Sequence, residues 1–72
     1  MNTAKVLQAI IQAASNARPG DVNPNDVKSK LDMSDSDFAQ SLIELEDAGY
    51  LERIMGNNQL MDISITTKVP TE

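Results

Sequence analysis

The chain has 72 residues, of which 40% are hydrophobic and only 3% are aromatic, and it carries a formal net charge of −5. This length and composition predict one folded domain with a thin, mainly aliphatic core. Because the sequence contains neither cysteine nor histidine, it excludes disulfides, thiolate metal sites, a cysteine nucleophile and the most common general base.

The first predicted element is an amphipathic helix over residues 3–17. Pro19 and Gly20 end it, because proline cannot continue a helix and glycine suits a turn. Gln8 and Gln12 interrupt its apolar run, so we expect a helix of a mature cytoplasmic protein, not a signal peptide or a membrane span. If its apolar stripe exceeds what one small core can bury, a homodimer through this helix is the alternative. The stripe consists of Val6, Leu7, Ile10, Ile11 and Ala14.

A short second helix is predicted over residues 24–31. Asn23 suits the N-cap and Pro24 the first helical position, and Asp26 places an acid in the first turn. Val22, just before this helix, is an option for a short additional strand.

A tight corner at Asp32 and Met33 leads into a third helix, predicted over residues 35–48. Ser34 is its expected N-cap, and Gly49 is the expected left-handed residue that ends it. An apolar stripe at i, i+4 and i+7 is expected to face inward and to form the centre of the core. Its members are Phe38, Leu42 and Leu45.

Beyond the third helix the period changes, and two strands are predicted over residues 50–54 and 60–67. The sequence Gly56-Asn57-Asn58 between them tolerates positive φ and is expected to form a hairpin loop. In the second strand apolar residues alternate with polar ones, which is typical of a half-buried strand. The residues expected to point inward are Met61, Ile63 and Ile65.

Three stretches carry a resemblance to a known family: Leu31-x-Met33-Ser34, Phe38-x-x-x-Leu42-x-x-Leu45-Glu46-x-Ala48-Gly49-Tyr50-Leu51 and Ile63-x-Ile65-Thr66-x-Lys68. With the predicted order of helices and hairpin, they resemble the winged helix-turn-helix superfamily, especially its compact bacterial regulators. The phrase LIELEDAGYLERI is similar to that superfamily's passage from recognition helix to wing. The resemblance covers residues 23–68 and implies a mainly α domain with a small β-hairpin wing.

The resemblance also implies a DNA-binding transcriptional regulator, whose third helix would lie in the major groove of double-stranded DNA. Matching the motif gives the groove-facing residues Asp35, Ser36, Gln40, Ser41 and Glu44. The candidates for contacts to the DNA backbone are Lys28, Lys30, Arg53, Asn57 and Asn58. An independent count of roughly 100° per residue turns Ser36, Gln40 and Asp47 outward, with Ser41 nearer the core.

The distribution of charge argues against this function. Between Ser34 and Asp47 there are five acids and no base, whereas the rest of the chain has six acids and six bases. DNA affinity comes largely from phosphates neutralised by lysine and arginine, so such a helix is expected to repel a duplex. Glu46 points partly sideways, where a base from another element could reach it. The alternative is an acidic protein-interaction module on the same scaffold, whose third helix docks on a basic partner.

We expect no catalytic function, cofactor or metal. The sequence has no glycine-rich phosphate loop and no serine-elbow motif. The stretch Asp35-Ser36-Asp37 is not a calcium loop, because it lacks the glycine at the sixth position and the closing glutamate at the twelfth.

Overall fold

Three helices and a three-stranded antiparallel sheet form the chain in a computed structural model, which describes residues 2–14 and 18–71. The elements in chain order are α1 (Asn2–Ala13), β1 (Gly20–Val22), α2 (Pro24–Lys28), α3 (Asp35–Asp47), β2 (Leu51–Gly56) and β3 (Gln59–Ile65). The first helix ends at Ala13, and the predicted helical residues 15–17 lie outside the described part. Within that part, no helix has the length and apolar character needed to cross a membrane.

The two helices that flank the corner begin where their capping residues predict. The side-chain oxygen of Asn23 accepts a hydrogen bond from the backbone N–H two residues ahead, at 2.8 Å. The hydroxyl of Ser34 accepts one from the N–H three residues ahead, at 3.1 Å. α2 ends at Lys28, short of the predicted residue 31, because the chain after it continues in tighter turns with i to i+3 hydrogen bonds.

Gly49 closes the C-terminus of α3 with a φ of +87°. Its N–H donates to the carbonyl of Glu46, and the N–H of Tyr50 donates to the carbonyl of Leu45, both at 3.0 Å. This pair of bonds is the Schellman motif, which favours glycine because a side chain is strained at positive φ. The predicted helix end is therefore confirmed.

β3 is the central strand of the sheet, with β1 on one side and β2 on the other. Val22 pairs with Ile63, which confirms the short additional strand considered there. On the opposite side Ile63 pairs with Arg53, and Ile65 pairs with Leu51. Directly paired residues point to the same face of a sheet, so these rows define its inner side.

The hairpin turn lies at Asn57 and Asn58, which have φ values of 52° and 62°. Two consecutive residues at positive φ are typical of a type I′ turn, as the Asn-rich loop predicts. β2 continues to Gly56 and β3 starts at Gln59. The strands thus reach closer to the turn than their predicted ends at residues 54 and 60.

A bulge interrupts the alternation predicted for β3. Ile54 pairs with Asp62 and Met55 pairs with Leu60, which leaves Met61 unpaired across the hairpin. The two isoleucines further along β3 are buried as predicted, but Met61 is 60% exposed, so its predicted inward position is wrong. The extra residue shifts the phase of the strand, and Leu60 packs against the core instead.

The core lies between the three helices and the inner side of the sheet, and it contains the predicted stripe of α3. Leu7 and Ile11 of α1 are partly buried against it, so much of the apolar surface of α1 is used within the chain itself. Within the described residues, the large exposed hydrophobic side chains lie on the hairpin. The buried hydrophobic residues are Val6, Ala9, Ile10, Val22, Val27, Phe38, Leu42, Leu45, Leu51, Ile63, Ile65 and Val69.

Candidate nucleic-acid interface

The outward side of α3 carries Ser36, Gln40 and Asp47, all exposed, as the angular count predicts. Ser41 is only 3% exposed, because it lies on the same side of the helix as the apolar stripe. The expectation that Ser41 faces a DNA groove is therefore wrong. The remaining uncharged members of the predicted set, Ser36 and Gln40, lie one turn apart on the accessible side.

Asp35, the first residue of α3, forms an ion pair with Lys28, the last residue of α2. The Lys28 ammonium donates to one carboxylate oxygen, and the two side chains are 38% and 89% exposed. A pair this exposed is screened by water and contributes little to stability. The pair nevertheless places a cation from α2 beside Asp35, whereas α3 itself contains no lysine or arginine.

Glu46, in the last turn of α3, binds Arg53 of β2 through both backbone and side chain. Its carboxylate accepts the Arg53 backbone N–H at 3.0 Å and the Nε–H at 3.1 Å, and it lies 3.0 Å from a terminal guanidinium nitrogen. The hydrogen bond from the Arg53 backbone, followed by the one from its side chain, holds the pKa of the Glu46 carboxyl below its usual range. The expectation that Glu46 reaches a base on another element is confirmed.

The remaining acids of α3 do not share one surface. Glu44 accepts a hydrogen bond from the hydroxyl of Thr3, so it is turned toward α1. Asp37, seven residues earlier, lies on the same side of the helix because seven residues make nearly two full turns. Only Asp47 lies on the outward side with the two neutral polar residues. The acidic stretch that appears continuous in the sequence is thus divided among three directions.

The candidates for DNA backbone contacts are also separated in space. Lys28 and Arg53 line one groove, of about 300 Å³, between α2, α3 and the hairpin. Lys30 lines a second cavity, of about 340 Å³, between α1 and the corner, together with Lys5. The two asparagines of the turn are exposed at the tip of the hairpin. No single element presents all these groups.

The groove beside α3 has an apolar floor, formed mainly by the side chains of Phe38, Leu42 and Leu60. Its size and lining suit one apolar group, with the two cations at its edge. Sequence reasoning missed this groove and the exposed hydrophobic residues of the hairpin. The bulge at Met61 turns Leu60 toward the core and Met61 outward, and periodicity alone does not reveal a bulge.

Among residues 2–14 and 18–71, no group of acidic side chains is arranged to hold a metal ion. Comparisons of the chain with protein-family models, with curated proteins and with solved structures find no match.

Proposed function

We propose that this protein is a winged-helix DNA-binding domain that acts as a small transcriptional regulator, with α3 as the helix that enters the major groove. The connection order supports this proposal: β1 precedes α2, the hairpin follows α3, and the sheet order is β1-β3-β2. Around the corner at Asp32 and Met33, α3 follows α2 as the second helix of a helix-turn-helix does, and the hairpin would serve as the wing.

The distribution of charge around α3 carries the proposal. The outward side of the helix offers Ser36 and Gln40 in its N-terminal half and Asp47 at its C-terminal end. Asp35 and Glu46 are each paired with a cation from another element. A glutamine can pair with adenine through two hydrogen bonds, and a serine hydroxyl can donate to or accept from a base edge. The repulsion expected from five acids is therefore reduced around the N-terminal half of α3, where bases would be contacted, while Asp47 at the other end forms no ion pair within the described residues.

The same pairs limit the affinity. Lys28, Lys30 and Arg53 are the candidates for phosphate contacts, and two of them already neutralise acids. Each neutralised phosphate contributes about 0.9 to the slope of log K against log salt, so three contacts give a slope no steeper than about −2.7. We expect weak, modestly salt-dependent binding to non-specific DNA and tighter binding only to a matching sequence.

Fluorescence anisotropy with a labelled mixed-sequence duplex in low salt tests the electrostatic contribution to DNA binding. Lys28→Gln should weaken binding and reduce the salt slope by about 1. Lys5→Gln, which removes the same charge from the exposed side of α1, is the matched control and should leave both unchanged. Absence of binding at protein concentrations of about 100 μM would rule out the proposal, since non-specific affinities typically lie between roughly 10⁻⁴ and 10⁻⁶ M.

Base contacts are tested on duplexes enriched by selection from a random library. Gln40→Ala should weaken binding to the enriched sequence and relax the preference at one position. Ser41→Ala is the matched control, because its side chain is buried beside the core. If the two variants lose sequence preference equally, the outward side of α3 is not the surface that contacts bases.

A second candidate function is an acidic protein-interaction module in which α3 docks on a basic partner. The observation that favours it is that Glu44 and Asp47 are exposed and form no ion pair within the described residues. The double variant Glu44→Lys with Asp47→Lys should release a partner captured by the wild-type chain. Equal retention would exclude this helix as the docking surface.

A further inference from the structure

The face of the sheet that points away from the helices carries two exposed hydrophobic side chains. Ile54, paired with Asp62, is 41% exposed, and Met61 is 60% exposed. A Cβ atom placed on Gly56 would lie 3.1 Å from Cγ of Met61, so Met61 lies over the side of the hairpin to which position 56 points. Positions 54 and 56 point to the same side of β2, because side chains alternate along a strand. Ile54 and Met61 therefore share one face.

The bulge in β3 is the reason that Met61 lies on this face. Without the extra residue, regular alternation from Ile63 would turn Met61 inward, where Leu60 now packs. A bulge disrupts the hydrogen-bond ladder locally and can redirect a side chain. Here the redirected residue is a flexible methionine, a side chain that adapts well to a partner surface.

The same face is acidic. Asp21, Ser64 and Glu52 form one row across the three strands, and Asp62 lies in the next row opposite Ile54. Within the described residues, none of the three acids forms an ion pair. All residues of β1, β2 and β3 are described, and their single cation, Arg53, points to the inner side with Ile63. We call this surface the outer sheet face, and it comprises Asp21, Glu52, Ile54, Met61 and Asp62.

We propose that the outer sheet face is a docking surface for a basic, amphipathic segment of a partner protein. Aliphatic side chains of that segment cover Ile54 and Met61, while its lysine or arginine side chains pair with the surrounding acids. Charge complementarity selects this occupant. A second copy of the chain would oppose the same three acids to one another, and nucleic acid or an anionic lipid surface would be repelled.

This surface is distinct from the outward side of α3, because the helices pack on the inner side of the sheet. Glu52 and Ile54 alternate with Arg53, whose side chain reaches toward α3. The proposal therefore does not depend on DNA binding. It adds a second contact surface, through which the same chain could be linked to a basic protein.

The test is an NMR titration of the ¹⁵N-labelled chain with a short synthetic peptide in which lysine and leucine alternate. The amide resonances that move should belong to β2 and β3 around Ile54 and Met61. A lysine–serine peptide of the same length lacks the apolar side chains, and a glutamate–leucine peptide reverses the charge. Both control peptides should bind the chain at least about 10-fold more weakly than the lysine–leucine peptide if apolar contacts and charge pairing both contribute.

Two double variants separate the contributions of the outer sheet face. Ile54→Thr with Met61→Thr retains strand propensity but removes the apolar cover, and Glu52→Lys with Asp62→Lys reverses two charges. Each should weaken the lysine–leucine peptide by about 10-fold or more. The matched control, Asp26→Lys with Asp32→Lys, makes the same change in net charge at two exposed acids, one in α2 and one in the corner before α3, and should leave affinity within about 2-fold.

Three results would overturn the proposal: no shifts at millimolar peptide, shifts centred on α3, or an equal loss of affinity in the variant Asp26→Lys with Asp32→Lys. The pattern of amide shifts is measured on the wild-type chain, so the test remains valid even if a variant fails to fold. Duplex binding by Ile54→Thr with Met61→Thr, which leaves the net charge unchanged, should equal that of the wild type. A variant that loses peptide binding but keeps duplex binding therefore affects the outer sheet face alone. If the wild type binds no duplex, the proposed DNA-binding function fails, but the peptide result still applies to the outer sheet face.

Discussion

Glu46 joins α3 to β2 by accepting hydrogen bonds from both the backbone N–H and the guanidinium of Arg53. β2 is an edge strand of the sheet, and N–H groups on such an edge are available to pair with another chain. Glu46 occupies one of them and links the hairpin to the end of the helix. The orientation of the candidate wing relative to α3 therefore depends in part on this pair.

Glu46→Gln is expected to lower the free energy of unfolding by about 1 kcal/mol, because a charged hydrogen bond and a partly buried ion pair are lost together. Urea denaturation followed by circular dichroism measures the change. Asp47→Asn is the matched control, since Asp47 is exposed and adjacent in the sequence. An equal loss in both variants would mean that net charge, and not the contact with Arg53, determines the effect.

The contribution of Glu46 should also depend on pH in a defined direction. Because hydrogen bonds from the Arg53 backbone and side chain lower the folded-state pKa of Glu46, its ionised form stabilises the folded chain. That stabilisation is fully present above the pKa of the unfolded chain and is lost as pH falls through the lower, folded-state pKa. The stability difference between wild type and Glu46→Gln should be constant near neutral pH and shrink in acid. A difference that grows in acid would contradict this assignment.

Gly49→Ala should destabilise the chain by about 1–2 kcal/mol, because φ at this position is +87° and a Cβ atom is strained there. The cost comes from the backbone and not from crowding, since the nearest atom to an added Cβ is Lys68 Cδ at 3.9 Å. Thermal denaturation measures the loss. Asn58→Gly is the opposite case: it relieves a positive φ of 62° and should be neutral or stabilising.

The bulge predicts opposite outcomes for two neighbouring hydrophobic residues of β3. Ile63→Ala should cost about 2–5 kcal/mol, because Ile63 is fully buried. Met61→Ala should change stability by less than about 1 kcal/mol, because Met61 is mostly exposed. Urea denaturation of both variants measures the contrast. Comparable losses would show that Met61 faces the core, as simple alternation predicts.

Local patterns predicted much of the fold. The caps at Asn23 and Ser34, the left-handed end at Gly49 and the two asparagines of the hairpin are effects of adjacent residues on backbone geometry, so a single sequence is sufficient to find them. The apolar stripe of α3 likewise gave the centre of the core, because helical periodicity determines which residues share a side. The outward positions of Ser36 and Gln40 follow from the same periodicity.

The amino-acid sequence by itself thus determined the helices, the turn chemistry and the residues that face inward from α3, because these depend on contacts within one or two turns of chain. Only the tertiary structure decided which cations meet the acids of α3, since Lys28 reaches Asp35, and Arg53 reaches Glu46, across separate elements. It also decided the phase of β3, because a bulge is a property of strand pairing and leaves no periodic trace in one strand. The charge on the candidate DNA-binding side and the exposed methionine on the opposite face of the sheet both follow from these long-range contacts.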